Sequence, residues 1–185
     1  MINRPINLTH VVLETPRLIL RAFRYEDLDD FFEYASVDGV GEMAGWVHHS
    51  DKNVSHKILE SFIQTKKTFS IVYKANNKVI GSLGLEKSHF PRTYYPGETV
   101  RDIGYVLSKD YWGQGLMSEA VKAVIDYCFN TLKMSHLTVG HFIDNIRSKR
   151  VIEKSGFTYA YAHVFTTRMG TKRDTREYIL NNPKK

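Results

Sequence analysis

The stretch 103-IGYVLSKDYWGQGLMSEAV-121 decides how this chain is read. It ends a strand-like alternation at Leu107, places an aromatic pair at Tyr111 and Trp112, and sets Gly113 and Gly115 one residue apart. An apolar, helix-forming run follows. Glycine where a helix should begin costs backbone entropy and packs nothing, so another requirement must favour it. A strand, a tight glycine turn and a helix N-terminus together make an anion site. The first helical amides lack intrahelical partners, the dipole is positive there, and glycine lets a phosphate approach the backbone. Taken alone, the same residues also suit a plain strand-to-helix turn, with Glu119 as a first-turn acid favoured by the dipole.

Two phosphate-loop classes fail on their residues. A Walker loop ends in Gly-Lys-Ser/Thr, whereas Gly115 is followed by Leu116. A dinucleotide fingerprint needs a third glycine, whereas 113-GQGLMS-118 ends in Ser118 and lacks the strand-terminal acid about 20 residues on.

Composition narrows the rest. A chain of 185 residues suits one domain over 1–185. Its 42% hydrophobic and 25% charged residues fit an ordinary globular protein. No apolar run approaches the ~20 residues of a membrane helix. The stretch Met1 to His10 lacks a secretory pattern. A cytoplasmic protein with no membrane partner is therefore expected. The net charge of +6 favours anionic partners, but the lysines and arginines are scattered, which argues against nucleic acid. The single cysteine, Cys128, lies in an apolar helical run and reads as a buried structural thiol. The eight histidines show no paired ligand spacing, and His48 and His49 are adjacent in a polar stretch, so no metal is expected.

Working outward, 17-RLILR-21 alternates like a strand and 25-YEDLDDFFEYAS-36 reads as a helix. Residues 38–53 read as loop, and 54-VSHKILESFIQTKK-67 has a helical period. A hairpin follows, 69-FSIVYK-74 and 79-VIGSLGLEK-87, turned by 75-ANNK-78. Residues 88–98, with two prolines and three aromatics, read as an excursion loop, and 99–108 as a strand. The helix after the glycines should run to about Lys133. Then come a strand at 136–142, a helix over 145–156 ended by Gly156, and strands at 157–167 and 174–180. The order predicts a mixed α/β fold, a mixed sheet covered by helices.

With 145-NIRSKRVIEKSGF-157 added, the opening stretch resembles the GCN5-related N-acetyltransferases. It is most similar to their ribosomal-protein N-terminal acetyltransferase branch (RimJ/RimL-like), whose first strand 14-ETPRLILRAF-23 also resembles. The resemblance spans roughly residues 13–180. It implies a mostly antiparallel sheet with a splayed parallel strand pair, and acetyl-coenzyme A as cosubstrate. Two departures are visible. The broader superfamily has Arg or Gln at Trp112, although the closer branch has Trp, and it has Gly or Ala at Met117.

The implied reaction is acyl transfer from a thioester to a primary amine, on a protein N-terminus or a small molecule. An alkylammonium with a pKa of ~10 must lose a proton before it attacks, the oxyanion needs donors, and the thiolate benefits from an acid. By resemblance, amides around Tyr105, Val106 and Leu107 hold the pantetheine arm and polarise the thioester. Those of Trp112, Gly113, Gln114, Gly115, Leu116 and Met117 hold the pyrophosphate. Asn145 bonds the arm, and Ser148 lies near the sulfur as proton donor. Asn145 also suits an N-cap, and Ser148 a solvated position. Asp102 is the first choice of base, as against an exposed strand-edge acid, with Glu98 and His141 in reserve. The acceptor pocket falls to residues 34–67 and 88–98, where Asp38, Glu42, Asp51 and Glu98 are more simply solvated surface. A non-catalytic sensor keeping the coenzyme site and a nucleic-acid binder are the competing functions. A homodimer is compatible with all three.

Overall fold

The computed structural model describes residues 5–94 and 98–184. In chain order they form β1 (Val12–Glu14), β2 (Leu18–Ala22), α1 (Leu28–Ala35), α2 (Lys52–Thr65), β3 (Thr68–Tyr73) and β4 (Lys78–Glu86). Then come β5 (Val100–Leu107), α3 (Leu116–Asp126), β6 (His136–Phe142), α4 (Ile146–Lys154), β7 (Thr158–Thr166) and β8 (Lys172–Asn181). The strands make one sheet in the order β1-β2-β3-β4-β5-β6-β8-β7. Every neighbouring pair is antiparallel except β5 and β6. The mixed, mostly antiparallel sheet expected from the sequence is the observed one.

Strand alternation sorts the residues onto two faces. Leu83 and Leu85 of β4, Ile103 and Leu107 of β5, and Leu137 and Val139 of β6 point into the larger core, against Leu116, Ala120, Val121 and Val124 of α3. The opposite face near β3 and β4 carries a second core, in which Phe31 and Tyr34 of α1 and Leu59 of α2 meet Val72 and Val79. In the middle of that face stand small and polar residues: Thr68, Ser82, Gly84, Gly104, Thr138 and Gly140. Nothing bulky fills the sheet surface there.

Boundaries differ from expectation for local reasons. Helix α2 starts at Lys52 rather than Val54 because Asp51 caps it, its Oδ1 accepting from the amides of Asn53 (2.8 Å) and Val54 (3.1 Å). Such a cap is worth about 1 kcal/mol. The stretch expected as loop over 38–53 therefore holds a 3₁₀ turn at Glu42–Ala44 and the first residues of α2. Helix α3 ends as a regular helix at Asp126, not Lys133. A π-helical turn, Tyr127–Thr131, continues it and buries both Cys128 and Phe129. The short β1 was not foreseen, being three residues long. The excursion loop over 88–98 contains a 3₁₀ turn at Arg92–Tyr94, and its residues 95–97 lie outside the described residues.

The feature that creates a site is the end of the β5–β6 ladder. Only Val100, Arg101 and Asp102 pair with His136, Leu137 and Thr138. Beyond Asp102 the two strands diverge, leaving one edge of β5 unpaired in mid-sheet.

Candidate active site

A cleft of about 830 Å³ runs along that divergence. Its long wall is the unpaired edge of β5. The Ser108 amide donates to Ile80 O at 2.8 Å, and Gly81 stands opposite Leu107. Amide direction alternates along a strand, so the N–H groups of Gly104 and Val106 also face β4. Those of Tyr105 and Leu107 face the gap. Val106 thus departs from the expected trio of amide donors: its backbone serves the sheet, and it lines the cleft through its side chain.

At the far end of β5 the chain turns into the glycine stretch. Gly113 and Gly115 have φ of +78° and +76°, the left-handed region that disfavours side chains. Gly115 is the residue before α3 and offers no capping side chain. The first helical bond runs from Glu119 N to Gly115 O at 3.1 Å. Among the described residues, the amides of Gly113, Gln114, Gly115, Leu116, Met117 and Ser118 have no protein acceptor. Alternating left- and right-handed residues turn successive amides inward, a nest for an anion at a positive helix end. Leu116 and Met117 are buried in the core, so the bulk of Met117 points away from the nest.

The nest is braced from the first hairpin. Glu119 accepts from Thr15 Oγ1 (2.6 Å), Arg17 N (2.9 Å) and Arg17 Nε (2.8 Å), and Arg17 Nη1 donates to Gln114 O at 3.0 Å. Glu119 is therefore a clamp between the hairpin and α3. Trp112 donates its Nε1–H to Leu107 O at 2.8 Å, and the Arg147 guanidinium stacks 4.0 Å from its ring centroid. Arg147 and Arg150 of α4 line the cleft beside the nest, cations that residue patterns had not singled out.

Helix α4 brings the second cluster. Asn145 is its N-cap: Oδ1 accepts from Ser148 N at 3.1 Å, and Nδ2 donates to Met43 O at 3.3 Å. Ser148 Oγ lies 2.9 Å from the Tyr105 hydroxyl, which also donates to Ser148 O at 3.3 Å. Burial pushes the Tyr105 phenol above its ordinary value, so it stays protonated. Sequence reasoning assigned Tyr105 only an amide. Its hydroxyl became visible when α4 was seen to pack across β5.

Asp102 stands at the last paired position, on the opposite face of β5 from Tyr105. Thr138 Oγ1 donates to its Oδ1 at 2.6 Å, and Ser88 Oγ lies 3.0 Å from that hydroxyl. Burial pushes the Asp102 carboxyl up to about 7, despite the Thr138 bond and the nearby His89; Glu177 and Glu86 push the same way as burial. It lines the cleft and is no exposed strand-edge acid. The reserves are otherwise engaged. Glu98 Oε2 is 2.6 Å from His136 Nε2, and His141 is buried with Nδ1 on Phe142 O (2.7 Å) and Nε2 on the Tyr178 hydroxyl (3.2 Å). Burial pushes the Cys128 thiol up to about 12, which makes it a poor nucleophile.

Residues 17–158 match the sequence family described as the acetyltransferase (GNAT) domain. The chain belongs to the GNAT acetyltransferase family. Among its relatives is an uncharacterized N-acetyltransferase, YoaA of Bacillus subtilis (strain 168), 27% identical over 182 residues, 94% of this chain and 98% of that one. Of solved structures, a GNAT-family acetyltransferase from Bacillus anthracis superposes with a TM-score of 0.82 at 21% identity, covering 93% of this chain and 99% of that one. Mycobacterium smegmatis RimJ, solved in complex with CoA-disulfide, superposes with a TM-score of 0.68 at 16% identity, covering 90% and 83%. This GNAT chain is thus an N-acetyltransferase. No helix among the described residues is long and apolar enough to cross a membrane.

The acids once weighed for acceptor binding have other duties. Glu42 accepts from the Gly39 and His48 amides and from the His48 ring, which bring its carboxyl down to about 2 against the opposing effect of desolvation. Asp51 caps α2, and Asp38 is exposed.

Proposed function

We propose that this protein transfers the acetyl group of acetyl-coenzyme A to a primary amine, on a protein N-terminus or a small molecule, by direct attack on the thioester. One observation carries the reading: a single cleft joins a nest of unpaired amides, an unpaired strand edge, a half-buried hydroxyl pair and a half-buried carboxylate. The nest from Gly113 to Met117 would hold the pyrophosphate, with Arg147 and Arg150 near by. The Tyr105 and Leu107 amides would pair with the pantetheine arm as a further strand pairs with an edge. Asn145 already caps α4 and would add at most its second Nδ2 hydrogen.

The chemistry divides across β5. On one face Asp102, with a pKa near neutrality, takes the ammonium proton, and the freed amine attacks the carbonyl carbon. The carbon–sulfur bond then breaks. On the other face Ser148, held 2.9 Å from the Tyr105 hydroxyl, gives its proton to the departing thiolate and is restored by the second proton that the nitrogen sheds to solvent as the amide forms. Ser148→Ala should lower kcat up to about 10²-fold with coenzyme affinity little changed, since water replaces one donor imperfectly. Tyr105→Phe should give a smaller loss of the same kind. Unchanged turnover in Ser148→Ala would make the pair structural.

The test of the donor site needs no acceptor. Coenzyme A and acetyl-coenzyme A should raise Tm, and ATP and NAD far less. Binding at a hundred times Kd adds about 2.7 kcal/mol, or roughly 5–10 °C for a chain of this size. All four ligands carry a pyrophosphate, so only a site that also grips the pantetheine arm separates them. Equal shifts would reduce the nest to a generic phosphate site.

A further inference from the structure

Close to Asp102, three segments distant in sequence converge. His89 follows β4, His163 lies in β7 and Glu177 in β8. His163 Nε2 is 2.8 Å and His89 Nε2 is 3.1 Å from the same oxygen, Glu177 Oε1, and the three atoms all lie within 4.8 Å of one another. Glu177 is 1% exposed. Its other oxygen, Oε2, is buried and has no hydrogen-bond partner. The carboxyl reaches this position because residue 140 is glycine: a Cβ there would fall 2.6 Å from Oε2.

From this arrangement we propose a binding site for one first-row divalent cation of the zinc class, ligated by His89 Nε2, His163 Nε2 and Glu177. Two imidazoles and one carboxylate are a ligand set that zinc, nickel and cobalt accept, while magnesium and calcium demand oxygen donors. Zinc bonds of about 2.0–2.2 Å place neighbouring ligand atoms roughly 3.0–3.5 Å apart. The observed 2.8 and 3.1 Å therefore need only a small outward shift. A lone hydrogen-bond cluster leaves one buried oxygen without a donor, which is costly. A cation bound through Oε1 neutralises the charge that this orphaned oxygen shares. On binding, the two N–H···O contacts give way to two nitrogen–metal bonds and one oxygen–metal bond, and each Nε2 hydrogen moves to Nδ1 or leaves to water. Both histidine side chains are partly exposed, which provides an entry path. The ion would pin the segment after β4 to the β7–β8 hairpin, walling the acceptor side beside Asp102. The eight histidines gave no such signal in sequence, because the ligands are 74 and 14 residues apart.

The test uses the full chain, stripped with a chelator and dialysed, and titrated with zinc sulfate by calorimetry and with cobalt chloride by visible absorption. One equivalent per chain should bind, and His89→Ala and His163→Ala should each weaken zinc affinity at least about 10-fold. The other grouping of this kind among the described residues, Asp38, Glu42 and His48, is the control: His48→Ala should leave affinity unchanged. Circular dichroism melts establish that each variant is folded, and the partly exposed His89 supplies a variant that disturbs no core. No saturable binding, or wild-type affinity in both folded histidine variants, or loss in His48→Ala alone, overturns the assignment. The readouts do not depend on acetyl transfer, so this site can fail while the donor site stands.

Discussion

Replacing Asp102 by asparagine should lower the acetyl-transfer rate by about 10²–10⁴-fold near pH 7, the range of a positioned general base. The wild-type kcat/KM should rise with pH as the carboxyl, held up to about 7 by burial, loses its proton. His89, Glu177 and Glu86 are the titratable groups facing it, and they set where that rise falls. In the variant the rise near pH 7 should vanish, and activity should recover partly toward the amine's own pKa of ~10. A uniform loss at every pH would indicate positioning, and no loss would remove Asp102 from the reaction. Stability gives a second reading. The folded pKa lies above the ordinary 3.8, so the native state holds the proton more tightly than the unfolded chain. Stability falls as pH rises from about 3.8 to about 7 and is level above. Three pKa units set an upper bound of about 4 kcal/mol, reduced by water in the cleft. Asp102→Asn should therefore melt a few degrees higher than wild type at pH 8 and no higher at pH 3.5. A slower but more stable enzyme is what a strained functional carboxyl predicts.

Gly115→Val should cost about 10–100-fold in coenzyme A affinity and most of the ligand-induced rise in Tm. The residue has a φ of +76°, and valine resists that geometry. Its Cβ would fall 3.7 Å from Arg17 Nη2, beside the amides where a phosphate oxygen is expected. Losing one charge-assisted amide bond, about 1.5–3 kcal/mol, sets the size. Strain alone would lower stability too, and Gly170→Val separates the effects. Gly170 has the same φ of +76°, sits in the β7–β8 turn and has open space at its Cβ. It should destabilise the fold while keeping wild-type coenzyme affinity. Equal affinity loss in both variants, or none in a folded Gly115→Val, would refute the phosphate-nest reading.

What the sequence determined was local. Gly113 and Gly115 declared a left-handed turn because few other residues tolerate it, and the apolar run behind them declared the helix whose amides line the nest. Asn145 followed three residues later by Ser148 declared a cap, since an Asn side chain reaches only that far along its own helix. Alternation in β5 put Ile103, Tyr105 and Leu107 on one face. Tertiary structure decided everything that depends on distant segments. The ladder between β5 and β6 stops after Asp102, and that break turns the Tyr105 and Leu107 amides, but not Val106's, toward the gap. The crossing of α4 over β5 sets the Tyr105 hydroxyl on Ser148. Burial beneath the cleft, which no residue pattern encodes, lifts the Asp102 carboxyl toward neutrality. The antiparallel pairing of β6 with β8 lays Glu177 over Gly140, and the return of β7 brings His163 beside His89. Hydrogen bonds and desolvation act over a few ångströms in space, so their partners become known only when the chain has closed on itself.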